Sequence, residues 1–218
     1  MKIITLNVNK ISSGEYEHFF NHVSSERQEK ARRFHFDRDA YCCVFAEVLL
    51  RYAVEETFDQ DINLDIDHND YGKPFINGLD DFHFNISHSG DWVILAYGNS
   101  EVGVDIEEIK EKESSVLDNI LSKEEMDYVH ADERLMNKRF IKIWGIKESY
   151  IKYLGTGLST DIKSVIVKIP EFSVMDKNGS VSDDVYTQSI LFNQNYYLTV
   201  CSKDKRLNIK ELTIKDLH

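Results

Sequence analysis

Six consecutive apolar residues, Trp92-Val93-Ile94-Leu95-Ala96-Tyr97, constrain this chain more than any other segment. The run is far too short to cross a bilayer, which takes roughly 20 residues, and too uniformly apolar to leave one face in water. It therefore predicts a strand buried on both faces in the middle of a sheet. Around it the patterns change in a definite order. Met1 to Asn7 reads as a first strand rather than a secretory signal, because the apolar h-region and small-residue cleavage site are missing. A mainly helical stretch runs from Glu15 to Phe58. Within it Ser25 and Gln28 resemble a capping box, and Val44, Val48, Leu49 and Tyr52 recur at helical spacing. Tyr71-Gly72-Lys73-Pro74-Phe75 reads as a turn into an extended piece. Phe82–Ile86 is expected as a strand, and Ser87-His88-Ser89-Gly90-Asp91 as a small polar turn leading into the apolar run.

The order then repeats. Val102–Glu107 reads as a third strand, followed by helical patterns over Val116–His130 and Leu135–Leu154. The latter ends at Gly155-Thr156-Gly157, where glycine suits the left-handed position after a helix. Strands are expected near Val165–Ile169, Ser189–Phe192 and Tyr196–Val200, with a turn at Asn178-Gly179. Strand, helices, strands, twice over, with only Pro74 and Pro170 as prolines and no Gly/Ser linker, predicts an α+β fold of two similar halves. The halves are expected to be residues 1–101 and 102–218, each a small sheet packed with helices.

Charge narrows the partners. The formal net charge of −12 disfavours general binding to nucleic acid or to an anionic membrane, since phosphate neutralisation needs a basic footprint. A local basic patch, Arg27, Lys30, Arg32 and Arg33, still suits one anionic ligand. Cys42, Cys43 and Cys201 show no metal-ligand spacing and read as buried free thiols, which fits a reducing cytoplasm.

Three segments carry chemistry. In Val102-Gly103-Val104-Asp105-Ile106-Glu107, strand alternation puts Val102, Val104 and Ile106 on one face and Gly103, Asp105 and Glu107 on the other. Two carboxylates on one face repel unless a cation or solvent screens them. A hard divalent ion such as magnesium uses oxygen ligands of this kind, although a solvated acidic edge is the commoner origin of such a pair. In Trp144–Lys152, Glu148 lies one turn after Trp144 and one turn before Lys152, beside an apolar helix side made of Phe140, Ile143, Trp144, Ile151 and Leu154. It can join the strand carboxylates across a cleft, with Lys152 placed for a phosphate, or form an ordinary surface pair with Lys152. In Phe84–Gly90, backbone N–H groups, Ser87, Ser89 and His88 offer a phosphate cradle; a solvated turn histidine is the alternative.

Taken in order, Gly72-Lys73-Pro74, Phe84-Asn85-Ile86-Ser87-His88-Ser89, Gly103-Val104-Asp105-Ile106-Glu107 and Trp144-Gly145-Ile146-Lys147-Glu148-Ser149-Tyr150-Ile151-Lys152 resemble the signature blocks of 4′-phosphopantetheinyl transferases of the surfactin type. Arg27–Phe34 and Leu121-Ser122-Lys123-Glu124-Glu125 match as well. The resemblance implies a cytoplasmic monomer of two pseudo-symmetric halves, with coenzyme A in the cleft between them. The first half would take the nucleotide side, and the second would carry the metal ligands and the catalytic helix. It implies transfer of the phosphopantetheine arm to a serine of an acyl or peptidyl carrier protein. Asp105, Glu107 and Glu148 match magnesium ligands. Lys152 matches a lysine on the reacting phosphate, and Lys73, Ser87 and His88 match residues that hold the nucleotide and its phosphates. Arg27 and Lys30 match basic residues near the 3′-phosphate. The serine proton is expected to go to Glu148 directly or to Glu125 through water, with Lys152 and His88 neutralising charge. Cys42 and Cys43 depart from the family pattern, standing where an arginine and a threonine help hold the nucleotide, with Arg38 as a substitute. Gly145 departs too, replacing the usual serine or threonine. Two rival readings share some of these ingredients: a metal-dependent nuclease, and a coenzyme A or carrier-binding module without chemistry.

Overall fold

The computed structural model describes residues 1–59, 62, 64–111, 114–175 and 184–217. The first half contains β1 (Lys2–Asn7), α1 (Ser13–Phe20), α2 (Ser25–Ala31), α3 (Asp37–Phe58), β2 (Ile66–His68), β3 (Pro74–Ile76), β4 (His83–Ser89) and β5 (Trp92–Gly98). The second contains β6 (Val102–Glu108), α4 (Ser114–Ile120), α5 (Lys123–His130), α6 (Met136–Leu154), β7 (Ile166–Lys168), β8 (Ser173–Met175), β9 (Tyr186–Phe192) and β10 (Tyr196–Ser202). The last strand, β11 (Asn208–Leu212), returns to the first half and pairs in parallel with β1.

The two halves share one plan. Each opens with a strand, runs through helices that end in a long one, makes a short hairpin (β2-β3 or β7-β8), and closes with a longer hairpin. In each sheet the last strand lies antiparallel between the first and the penultimate one: β1-β5-β4 in one, β6-β10-β9 in the other. The apolar run is β5, central as its composition requires. Val93, Leu95 and Tyr97 face α3, and Trp92, Ile94 and Ala96 face the other sheet.

Three cores follow from this stacking. Val44, Phe45 and Leu49 of α3 pack on Ile4, Leu6 and Leu95. Ile3 and Ile94 of the first sheet meet Val104, Ile106 and Leu198 of the second. Phe140, Ile143 and Ile146 of α6 pack with Val167 and Cys201. The layers therefore run helix, sheet, sheet, helix. No helix among the described residues is long and apolar enough to cross a membrane.

Several local expectations change. The segment Ser87–Ser89 belongs to β4, and the turn shrinks to Gly90-Asp91, with Gly90 at φ 55. The segment stays in the ladder because Ser87, His88 and Ser89 pair antiparallel with Ile94, Val93 and Trp92 of β5, and the serine hydroxyls also accept from backbone amides of β6. The cap of α2 is Ser24, one residue earlier than expected. Its Oγ accepts from the Arg27 amide, while its own N–H and O–H donate to Glu47 at 2.8 and 2.6 Å. The helical pattern over 116–130 is two helices, because Ser122 and Glu125 form a reciprocal capping box that starts α5. Leu154 is 45% exposed and lies off the buried side of α6. Strands β8 and β11 escaped the pattern: the first is very short, and most of β11 is exposed and polar. Asn178-Gly179 lies outside the described residues.

Candidate active site

Two glycines let α6 lie directly on the acidic face of β6. A Cβ on Gly103 would run into the Ser149 carbonyl and the Tyr153 amide of the helix. A Cβ on Gly145 would stand 2.9 Å from Thr199 Oγ1 and 3.6 Å from Asp105 Oδ2. Close approach brings Lys152 to Asp105: Nζ donates to Oδ1 at 2.7 Å and to Ser87 Oγ at 3.1 Å. The Ser87 hydroxyl donates in turn to the same Oδ1 at 3.1 Å and accepts from the Ile106 amide at 3.2 Å. Asp105 is 3% exposed, and its other oxygen, Oδ2, has no hydrogen-bond partner. Leaving a buried carboxylate oxygen unmatched is expensive, and such atoms in folded proteins call for an explanation.

The neighbours sharpen the point. Burial pushes the Glu148 carboxyl up from its ordinary range, the Asp105 charge pushes it further, and Lys152 opposes both. Glu107 accepts from the Trp144 indole, Nε1 to Oε1 at 3.0 Å. Surrounding protein atoms, and then the Lys152 ammonium, push the His88 imidazole down, although the residue keeps an open edge to solvent. Asp39 opposes them, and Lys30 pushes the same way as Lys152. His88 thus stands within electrostatic reach of both Lys152 and the basic patch.

That patch borders a hollow of about 460 Å³, lined by Arg27, Lys30, Cys43, His68, Phe84 and His88 among others. Arg27 Nε lies 3.6 Å from Glu47, and its Nη1 lies 4.0 Å from Cys43 Sγ. Cys42 faces away, toward the Gly90 carbonyl, and burial pushes its thiol up to about 12. All three cysteines are free and buried. Arg38 faces Asp91 at 3.9 Å and lines a different, smaller hollow. Another hollow, about 610 Å³ beside α1, α3 and Leu217, is lined by none of the residues expected to bind or react.

The structure therefore gathers Ser87, Asp105, Glu148 and Lys152, with Glu107 and His88 alongside, and sets Arg27, Lys30 and His88 around one hollow. Two expected residues lie elsewhere. Lys73 Nζ pairs with Glu101 and donates to the carbonyls of Val102 and Tyr153, both at 3.2 Å. Glu125 is fully buried against Lys147 at 2.8 Å. Its Oε1 accepts from the Val167 amide and its Oε2 from the Ser122 amide, so both oxygens are occupied. Lys147 itself was missed from the sequence. Its position between Ile143 and Ile151, one turn to either side, was the available signal. The contact of Ser87 with Asp105 had no such signal, because it spans the two halves.

Among the described residues, no three His, Cys, Asp or Glu side chains already converge as a metal cage. The donor chemistry nevertheless fits a hard divalent cation: oxygens only, one buried and unmatched, with a second carboxylate destabilised by the first.

An α+β protein of stacked helix, sheet, sheet and helix layers, with Arg27, Lys30 and His88 around one hollow and a Lys152–Asp105 pair, has the charges to hold phosphate groups. Residues 10–100 match the family model described as 4′-phosphopantetheinyl transferase, N-terminal, and residues 101–201 match that of the 4′-phosphopantetheinyl transferase superfamily. The chain is 32% identical to the 4′-phosphopantetheinyl transferase Sfp of Bacillus subtilis (strain 168), over 93% of this chain and 92% of that one. It is 36% identical to the transferase ffp of Bacillus subtilis, over 78% of each chain. It is 33% identical to the transferase gsp of Aneurinibacillus migulanus, over 86% of this chain and 73% of that one. The chain belongs to the 4′-phosphopantetheinyl transferase family.

Proposed function

We propose that this enzyme moves the 4′-phosphopantetheine arm of coenzyme A onto a serine hydroxyl of a carrier protein, with magnesium held by Asp105, Glu107 and Glu148. The observation that carries the reading is the unmatched Oδ2 of buried Asp105, set beside Glu148 and Lys152. The first half takes the nucleotide and the second half the reacting phosphates.

Arg27 and Lys30 supply positive charge for the nucleotide end, in the hollow that His88 also borders. Lys152 and His88 face the diphosphate, where fixed cationic and hydrogen-bonding groups are worth most. The serine oxygen forms a bond to the phosphorus that carries pantetheine. The bond from that phosphorus to adenosine 3′,5′-bisphosphate breaks, and the serine proton passes to a Glu148 carboxylate oxygen. Positioned bases contribute about 10²–10⁴ in rate. Glu125 is left out of the step because both its oxygens are engaged. A bound magnesium ion would neutralise phosphate charge and stabilise the departing oxygen.

The test is mass spectrometry of an apo carrier domain incubated with coenzyme A, magnesium and the enzyme. Gain of one phosphopantetheine arm, lost with a chelator and restored by magnesium, is the expected result. A carrier that never gains mass from any of several sources would sink the reading. Arg27→Ala and Lys30→Ala should raise KM for coenzyme A more than for dephospho-coenzyme A; equal losses would remove the 3′-phosphate assignment.

A further inference from the structure

Strand β6 carries Asp105 and Glu107, and it is an edge strand of its own sheet. Its partner β10 covers one side. The amides of Val104, Ile106 and Glu108 point the other way, and alternate residues share that direction in any strand. Buried edge amides without acceptors are strongly disfavoured. The neighbouring edge is β4 of the first half, yet β4 and β6 form no backbone ladder.

Side chains replace the ladder. Asn85 Oδ1 accepts from the Val104 amide at 2.9 Å, Ser87 Oγ from Ile106 at 3.2 Å, and Ser89 Oγ from Glu108 at 3.1 Å. The acceptors sit at every second residue of β4, on one face, and the donors at every second residue of β6. The register is matched rung by rung. The middle rung, Ser87, is also hydrogen-bonded to Asp105 and Lys152, whereas the bonds of Asn85 and Ser89 go to the Val104 and Glu108 amides.

We infer that Asn85 and Ser89 are positioning residues: side-chain rungs from the first half that fix the backbone of the metal-ligand strand on either side of Asp105 and Glu107. A strand held at three successive edge amides cannot slide or twist against the first half. The spacing between the carboxylates on β6 and the hollow bordered by β4 is thereby set. The activity arm of this inference rests on the proposed transferase reaction; the backbone arm does not.

The test combines amide hydrogen exchange with kinetics. Ser89→Ala should accelerate exchange at Glu108 by roughly tenfold, the scale of one lost hydrogen bond, and Asn85→Ala should do so at Val104. Amides of β1 and β5 should keep their protection. In the transfer assay each variant should lower kcat by roughly tenfold and raise the magnesium concentration for half activity, with KM for coenzyme A within about twofold; small misplacements of reacting groups act on kcat in this way. Ser89→Thr, which keeps the hydroxyl, should restore both readouts. Ser89→Cys, a weaker acceptor of similar size, carries the same expectation if the alanine variant does not fold. Unchanged exchange at Glu108 and Val104 would overturn the inference even with transfer intact. So would exchange that rises equally across both sheets, or a kcat loss matched by an equal rise in KM. Absence of transfer in the wild type with selective exchange effects in the variants would instead overturn the reaction and leave the rungs standing.

Discussion

The two halves share a strand order and a long helix, but they treat buried acid differently. In the first half, Glu47 of α3 is nearly sealed, and every part of it is answered. Ser24 donates to both oxygens, Arg51 donates twice to Oε1, and Arg27 stands beside Oε2. In the second half, Glu125 is answered just as fully by Lys147, Ser122 and Val167. Among the buried carboxylates of the described residues, Asp105 is the one left with an unmatched oxygen, and burial together with the Asp105 charge pushes the neighbouring Glu148 toward its neutral form. The contrast teaches that burial of a carboxylate says little about its use. Matched carboxylates hold the fold; the mismatched one is where the proposed reaction is placed.

The largest expected effect tests the most enclosed pair. Glu125→Gln leaves an ammonium in a fully buried place, and breaking such a pair costs about 3–5 kcal/mol. Urea unfolding should show that loss, and Glu125→Leu with Lys147→Met together should recover part of it. A loss below about 1 kcal/mol would mean the pair behaves like a surface bridge and would erase the distinction.

Next comes the mismatched site. Asp105→Ala should lower kcat by about 10²–10³, the usual range for removing one preorganised charged or donor group. Its stability should change by less than that of Glu125→Gln, because the Lys152 side chain it strands is partly open to water. A variant that unfolds yet turns over normally when stabilised would reverse the roles assigned to the two carboxylates.

A smaller effect is expected in the first half. Glu47→Gln should cost about 1–3 kcal/mol, less than Glu125→Gln, since Arg51 can rehydrate. The pH dependence gives an independent reading. Burial raises the Glu47 pKa, but hydrogen bonds from Ser24 and Arg51 outweigh it, and the net shift is downward. A depressed carboxylate pKa contributes stability above its unfolded value, about 4.3, and loses it as the pH falls through the folded value. Denaturant midpoints should therefore drop on acidification below about pH 4, and less steeply in Glu47→Gln. Identical slopes would remove Glu47 from the account.

The smallest effect concerns β1, where Thr5 Oγ1 is the other buried side-chain oxygen without a partner among the described residues. It is neutral, so the mismatch is mild. Thr5→Val should stabilise by up to about 1 kcal/mol and leave transfer unchanged. A clear loss of stability would mean that the hydroxyl is satisfied in solution, and that an unmatched oxygen is a weaker guide to function than Asp105 suggests.

Much of this was legible in the amino-acid order. The doubled strand–helix–strand pattern, the central position of Trp92–Tyr97 and the shared face of Gly103, Asp105 and Glu107 follow from periods of 2 and 3.6, which are local properties. The ordered motifs carried the family resemblance, because their residue types and intervals are linear features. What tertiary structure alone decided lies across the seam. Ser87–Ser89 read as a turn because polar residues usually are one, yet they continue a strand, paired with Trp92–Ile94 of β5 while the serine hydroxyls accept from amides of β6. Glu125 looked like a free acid until Lys147 met it inside the second core. Whether a side-chain oxygen is matched depends on atoms far away in the chain, and no local periodicity encodes that.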